Sequence, residues 1–323
     1  MPQVETTAGP IEADQLGRTL VHEHLISASE SVRYQYPHLY DHEAERARSL
    51  DALLAVKDRG VDTFVDPGCM DLARDAALSK ELAAEAGIQM VLCTGVYGQH
   101  YTFLPHYFQS RDEDHLASAF VHDIDNDEGI QGTGVKAAFI KCAADEPGIT
   151  PDVEKVHRAA ARASFQTGRP IMAHSRPASK TGLEQMRIFV AEGVDPRKVQ
   201  IAHTGDSTDL EYIEGLLETG VYIGLDRYGL EMFLPYEQRN ETALALLERG
   251  YAERMFISAD SCATIDWFPH PVVEQMLAAG LAKDWDIRIV PRRVLPDLRA
   301  GGMTEEQERT MLIENPVRWL TGG

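Results

Sequence analysis

His22 and His24 stand two apart in the run Val21-His-Glu-His-Leu25, and Lys141, His174, His203 and Asp260 each close a short apolar run further along the chain. Residues two apart in an extended strand point to one side, so the pair could grip one ion from that side. Imidazoles together with a carboxylate suit zinc or a similar divalent ion that keeps an open coordination position. Lys141 is the odd member, because an ammonium would repel a cation; it must lose its proton or be modified. A lone histidine is ordinarily a satisfied hydrogen-bonder, and His38, His42, His115, His122, His157 and His270 are set aside on that ground. His22, His24, Lys141, His174, His203 and Asp260 are distinguished by a shared position at strand ends.

The strands that must position them are eight apolar runs rich in Val, Ile or Ala, predicted at 18–21, 61–66, 89–94, 135–141, 170–174, 199–203, 221–226 and 255–260. Helical periodicity fills the gaps, as in Leu50, Leu53, Leu54 and Lys57, or Tyr212, Ile213, Leu216 and Leu217. Gly60, Gly87, Gly168, Gly193, Gly220 and Gly250 each precede a predicted strand, where a left-handed helix terminator is expected. One βα unit repeated eight times predicts a (β/α)₈ TIM barrel occupying residues 1–323, with no linker dividing it. Two stretches depart from the unit: 97–112, rich in aromatics, and a long excursion over 261–296. In a barrel both belong at the C-terminal face, where they would wall a substrate pocket.

The 323 residues carry 31 Lys+Arg against 51 Asp+Glu, a formal charge of −20. Such a surface repels polyanions, which excludes nucleic acid and an anionic membrane as partners. Arg288, Arg292 and Arg293 form the densest basic cluster and read as a solvated helix face. The N-terminal residues show no signal-peptide pattern and no apolar stretch reaches the ~18 residues of a membrane span, so a cytoplasmic protein is expected. Cys69, Cys93, Cys142 and Cys262 lie far apart and read as buried thiols, with Cys262 expected to line a pocket.

These residues resemble the phosphotriesterase branch of the amidohydrolase superfamily. Similarity runs from Gly9-Pro10-Ile11 and Leu20-Val-His-Glu-His24 through Ile140-Lys-Cys-Ala143, Ile201-Ala-His-Thr-Gly-Asp-Ser-Thr208, Leu225-Asp-Arg-Tyr-Gly229 and Ile257-Ser-Ala-Asp260 to Glu314-Asn315-Pro316. The resemblance implies two divalent ions per chain, zinc first and cobalt, manganese or iron as alternatives, bridged by Lys141 carboxylated on its amine. It implies further that His22, His24 and Asp260 hold the more buried ion and His174 and His203 the more exposed one. A metal-bridging hydroxide would be the nucleophile, with Asp260 passing its proton to the leaving group. One position departs from the pattern: family members often carry a histidine where this chain has Ala259, which bears on the proton route rather than on the metals.

Within that branch the chain looks most like the phosphotriesterase-like lactonases, as judged by Tyr97, Asp226-Arg-Tyr228 and Thr264-Ile-Asp-Trp267. Hydrolysis of N-acyl-homoserine lactones, silencing a bacterial signal, is the expected activity, with weak phosphotriesterase activity beside it. Asp260, Tyr97 and Arg227 are the expected catalytic residues, and Phe103, Tyr107, Arg227, Tyr228, Cys262 and Trp267 the expected substrate contacts. The alternatives are phosphotriester hydrolysis as the main activity, or a non-catalytic metal-binding barrel. Relatives of this kind are commonly homodimers, which the exposed aromatics would serve.

Overall fold

The computed structural model describes residues 2–99, 102–266 and 270–322, with the side chains of 270–273 left out of the description. A hairpin of β1 (Gln3–Thr6) and β2 (Gly9–Glu12) leads into β3 (Thr19–Leu20) and β4 (His24–Ser27). After them come β5 (Thr63–Asp66), β6 (Gln89–Gly95), β7 (Phe139–Ala144) and β8 (Ile171–Ser175). The last four are β9 (Val199–Ala202), β10 (Tyr222–Leu225), β11 (Met255–Ile257) and β12 (Cys262–Ile265). Eight of these form one sheet in the order β11-β10-β9-β8-β7-β6-β5-β3, and all its pairings are parallel. The edges meet beyond β3 and β11: the Asp260 amide donates to His22 O at 3.0 Å, the His24 amide to Ser261 O at 2.7 Å, and β4 then pairs with β12 in parallel. The result is the TIM barrel of the amidohydrolase type.

Alternation along the strands sorts side chains into two cores. In β7, Phe139 and Ala143 face the barrel interior with Met172, Tyr222 and Phe256, while Ile140 and Cys142 face the helices. Trp319, fully buried near the C-terminus, packs against Phe139 and Phe256 with ring centroids 5.4 and 5.7 Å away. Helices of parallel-sheet type cover the outside, among them His42–Lys57, Pro151–Thr167, Thr181–Ala191 and Tyr236–Glu248. The six glycines predicted to end helices all take positive φ, between 63° and 96°. No helix among the described residues is long and apolar enough to cross a membrane.

Strand boundaries differ from the periodicity, and the run predicted at 255–260 is strand only over Met255–Ile257. The run predicted at 135–141 enters the sheet only at Phe139, because Val135 O is spent on a turn, accepting from the Ile130 amide at 2.7 Å. Lys141 therefore lies within β7 instead of closing it. The excursion after β11 begins with a strand, β12, whose partner is the continuation of the first barrel strand.

Candidate metal centre

Backbone irregularities bring the ligand-type residues together as much as strand alternation does. In β9, Val199 and Ile201 face the helices, so a further extended residue at 203 would face them too. His203 instead adopts left-handed φ of 64°, which turns its imidazole back into the barrel mouth. Likewise the first barrel strand bends at Val21–His22, between β3 and β4, which lets His22 and His24 both face inward. Asp260 does not close a strand: it lies beyond the end of β11 at Ile257, and its left-handed φ of 50° likewise aims its carboxylate at the site. Alternation alone accounts for Lys141 and His174, inward on β7 and β8.

Three residues form the tightest cluster: ligand atoms of His22, His203 and Asp260 lie within 4.8 Å of one another. His22 Nε2 is 3.4 Å from Asp260 Oδ1, His24 Nε2 is 3.2 Å from the same oxygen, and His203 Nε2 is 3.8 Å from Oδ2. Lys141 Nζ lies 3.3 Å from His22 Nε2 and 3.5 Å from Met172 Sδ. The rings of His174 and His203 are 4.4 Å apart in an edge contact.

Beneath this cluster is a residue whose role spacing does not disclose. The fully buried Asp226 accepts the Nδ1 proton of His22 on Oδ2 at 2.9 Å and that of His203 on Oδ1 at 2.9 Å, plus the His203 amide at 2.8 Å. A carboxylate can only accept, so both rings carry their proton on Nδ1 and present an Nε2 lone pair to the site. Gly224 makes room for this carboxylate, since a Cβ there would come within 2.2 Å of Asp226 Oδ2. Asp145 Oδ2, 2.8 Å from His174 Nε2, accepts that ring's proton and leaves the lone pair on Nδ1. Glu23, between the two histidines, turns away and ties the barrel seam, accepting the amides of Ala259 and Ser261. Burial pushes its carboxyl up to about 8.

The charge state fits a bound cation. Burial holds His22 and His203 below the ordinary imidazole value, and His174 down to about 4, so all three favour the neutral, ligating form. For His24 burial acts the same way, but Asp260 and Asp66 outweigh it and push it up to about 9. Its buried Nδ1 lies 3.2 Å from Asp66 Oδ1 without hydrogen-bond alignment and finds no other partner among the described residues. Burial works against the Asp260 charge as well, yet the contact from His24 and the Arg227 guanidinium hold its carboxyl well below the usual carboxylate range. Lone pairs of His22 and His203 thus converge on an ionised carboxylate with no proton between them, an arrangement that a cation resolves. Lys141 is 1% exposed and, among the described residues, has no carboxylate within ion-pair distance; burial lowers its pKa toward the free amine. A free amine is the form that carbon dioxide carboxylates, and the resulting carbamate would be an anionic ligand in place of a repelling ammonium.

Around the cluster lies a cavity opening at the C-terminal face and lined by Tyr97, Arg227, Cys262 and apolar side chains that include Leu230, Phe233 and Trp285. Tyr97 Oη is 3.4 Å from His174 Nε2, and burial pushes the phenol well above its ordinary value. Arg227 pairs neither with Asp226 nor with Glu231: its Nε donates to Asp260 Oδ2 at 2.9 Å and its Nη1 to Asp206 Oδ2 at 3.0 Å. The Ala259 methyl packs in the outer core and has no proton to relay, whereas Arg227 holds Asp260 by a hydrogen bond. Three expected substrate contacts are not brought to this cavity. Phe103 is 78% exposed and borders a separate groove. Tyr107 stacks under the Arg111 guanidinium at 3.6 Å, and Tyr228 is buried against Tyr236. Trp267 lies outside the described residues. Leu230, Phe233 and Trp285 were missed because nothing in their spacing distinguishes them from ordinary apolar residues.

Comparison with known proteins agrees with this geometry. The sequence profile of the phosphotriesterase family matches residues 2–320. The chain is 45% identical over 311 residues to the aryldialkylphosphatase of Saccharolobus solfataricus, covering 96% of this chain and 97% of that protein. It is 38% identical over 326 residues to a phosphotriesterase homology protein of Mycobacterium tuberculosis, covering 98% and 97%. Superposition on the solved phosphotriesterase from Mycobacterium tuberculosis gives a TM-score of 0.91 at 38% identity, over 99% of this chain and 98% of that one. With a TIM barrel whose open end gathers buried histidines, an aspartate and a lysine suited to carboxylation, the chain belongs to the phosphotriesterase family of metal-dependent hydrolases.

Proposed function

We propose that this hydrolase opens lactones, with N-acyl-homoserine lactones as the substrate class and aryl phosphotriesters as weaker substrates. The observation that carries the reading is the wall of the cavity. Leu230, Phe233, Trp285 and their neighbours are apolar, and the cation among them, Arg227, is already matched by Asp206 and Asp260. Such a lining suits a neutral amphiphile with an acyl tail and is poor for a polyanion.

His22, His24 and Asp260 would hold one divalent ion, His174 and His203 a second, and carboxylated Lys141 would link them. Two such ions supply Lewis acidity, which makes water nucleophilic near neutral pH and polarises an ester carbonyl. The protein's own groups do the rest. Asp226 keeps the His22 and His203 lone pairs aimed inward. Tyr97, kept protonated by burial, donates a hydrogen bond that orients the ring ester. Asp260, strongly ionised and held at one oxygen by Arg227, takes up a proton at its other oxygen and releases it to the departing alkoxide.

A metal-loaded preparation assayed on a lactone panel and on an aryl phosphotriester tests this. The kcat/KM for a long-tailed acyl-homoserine lactone should exceed that for the phosphotriester by orders of magnitude, and should fall by up to ~0.8 kcal/mol for each CH₂ removed from a buried tail. Preference for the phosphotriester, or indifference to tail length, would support the second reading, an organophosphate hydrolase. That reading is favoured by the similarity to the Saccharolobus aryldialkylphosphatase. A homodimer is also proposed, supported by exposed Tyr34, Tyr36, Leu39, Phe103 and Tyr107 on two segments that border one groove. Light scattering of the wild type and of Phe103→Glu would decide it, with a monomeric wild type refuting it.

A further inference from the structure

Arg239, on the helix Tyr236–Glu248, lines no part of the metal cavity, yet its buried guanidinium spends its donors on the structures that do. Nη2 donates to Leu230 O and Nε to Leu234 O, both at 3.2 Å, so the two bonds clamp the ends of one short loop. Leu230, Met232 and Phe233 of that loop form one wall of the cavity. Nη1 donates to Gly205 O at 2.9 Å and lies 2.6 Å from Asp206 Oδ1. Asp206 then takes Arg227 on its other oxygen, and Arg227 holds Asp260 and stacks over the Phe233 ring at 4.5 Å. A ladder of alternating charge, Asp260, Arg227, Asp206, Arg239, therefore runs from the reacting carboxylate to the back of the wall. The start of the loop is pinned too: a Cβ at Gly229 would come within 2.7 Å of Asp284 O and 2.8 Å of Trp285 Cα.

We propose that Arg239 is a remote specificity-determining residue: by clamping Leu230 and Leu234 to Asp206, it sets the distance between the 230–234 wall and Asp260, and so the length and girth of acyl tail the site accepts. Only a guanidinium serves, because its planar fork reaches a carboxylate and two carbonyls at fixed angles, whereas an ammonium concentrates its donors at one point. Arg239 is a positioning residue, acting through the wall without touching the reacting atoms. The inference rests on the cavity being the substrate site, as proposed above.

The test uses metal-loaded wild type, Arg239→Met and Arg239→Lys, with a long-tailed acyl-homoserine lactone and tail-less γ-butyrolactone. In Arg239→Met the ratio of kcat/KM values, long over tail-less, should fall at least tenfold, mainly through KM of the long substrate, while γ-butyrolactone turnover stays within threefold. Arg239→Lys, which keeps the charge facing Asp206, should leave that ratio depressed; full recovery with Lys would overturn the role of the fork. Hydrogen exchange gives a readout independent of substrate. The Leu230 and Phe233 amides, bonded to Arg227 O and Leu230 O, should exchange at least tenfold faster in either variant, with strands β7 and β8 unchanged. Unchanged exchange in the loop overturns the inference, also if Arg239→Met fails to fold and only Arg239→Lys is available. Failure to hydrolyse any lactone with exchange accelerated as expected would instead remove the substrate reading, and the ratio would then be taken between bulky and small phosphotriesters.

Discussion

The substitution Asp226→Asn probes whether one carboxylate sets two ligand tautomers. In the wild type Oδ1 serves two donors of His203, Nδ1 at 2.9 Å and the amide at 2.8 Å, and Oδ2 serves His22 Nδ1 alone at 2.9 Å. The amide oxygen of the new side chain should therefore settle on the His203 side, placing its NH₂ opposite His22 Nδ1. Two donors cannot face each other at that distance, so His22 must move its proton to Nε2, the nitrogen 3.4 Å from Asp260 and 3.3 Å from Lys141. That removes one lone pair from the site. Loss of an outer carboxylate behind a ligating histidine costs ~10–100-fold in metal affinity, which corresponds to about 1.4–2.7 kcal/mol. The Asn variant is chosen over Ala, which would strand three buried donors at ~1–3 kcal/mol each and confuse binding with unfolding. Chelator competition with metal counting reads the affinity, and nitrogen NMR of the histidine rings reads the tautomer. Wild-type affinity at both metal positions, or a His22 ring still protonated on Nδ1, would refute the reasoning.

Lys141→Ala should lose the second metal and most activity, with partial recovery in buffers containing a short carboxylic acid; two tightly bound metals without the lysine would exclude its bridging role. Asp260→Asn should lower kcat far more than it raises KM, provided metal content is matched, because the carboxylate acts on the proton in flight. Trp319→Ala should cost ~3–5 kcal/mol in denaturant unfolding, since the ring is fully buried between Phe139 and Phe256. His157, fully buried with its pKa pushed down to about 4, stays neutral in the native state while the unfolded chain takes up a proton below about 6.5. Its stabilising contribution is complete above pH 6.5 and is lost progressively as pH falls from there to 4. Metal-free wild type should thus lose about 2–3 kcal/mol more than His157→Gln between pH 7 and 4.5, and equal pH slopes in urea titrations would contradict this.

Much of the site was legible because strand-end chemistry is local. His22 and His24 share a side by their spacing, and Lys141 and His174 lie inward on strands whose apolar partners announce the alternation. The lysine puzzle could be posed from residue types alone. What spacing could not show is where a backbone leaves its regular path. His203 would face the helices if β9 simply continued, and only its left-handed φ of 64° returns it to the centre. The aromatic stretch after β6 reads as a pocket wall, yet Phe103 is exposed at a separate groove and Tyr107, on the short helix His106–Gln109, is taken up by Arg111.

From the sequence by itself came the barrel, the parallel strand order implied by its repeated unit, and the set of residues able to hold metal, since each depends on periodicity and residue chemistry within a few positions. Tertiary structure alone decided the partners. Asp226 stands between two histidines 204 and 23 residues away, and Arg227 takes Asp206 and Asp260 in preference to its acidic sequence neighbours. The cavity wall comes from Leu230, Phe233 and Trp285, on loops that meet only when the barrel closes. Hydrogen bonds and packing act over a few ångströms of space, and closure of the sheet, which local patterning demands, determines which distant residues come within that reach.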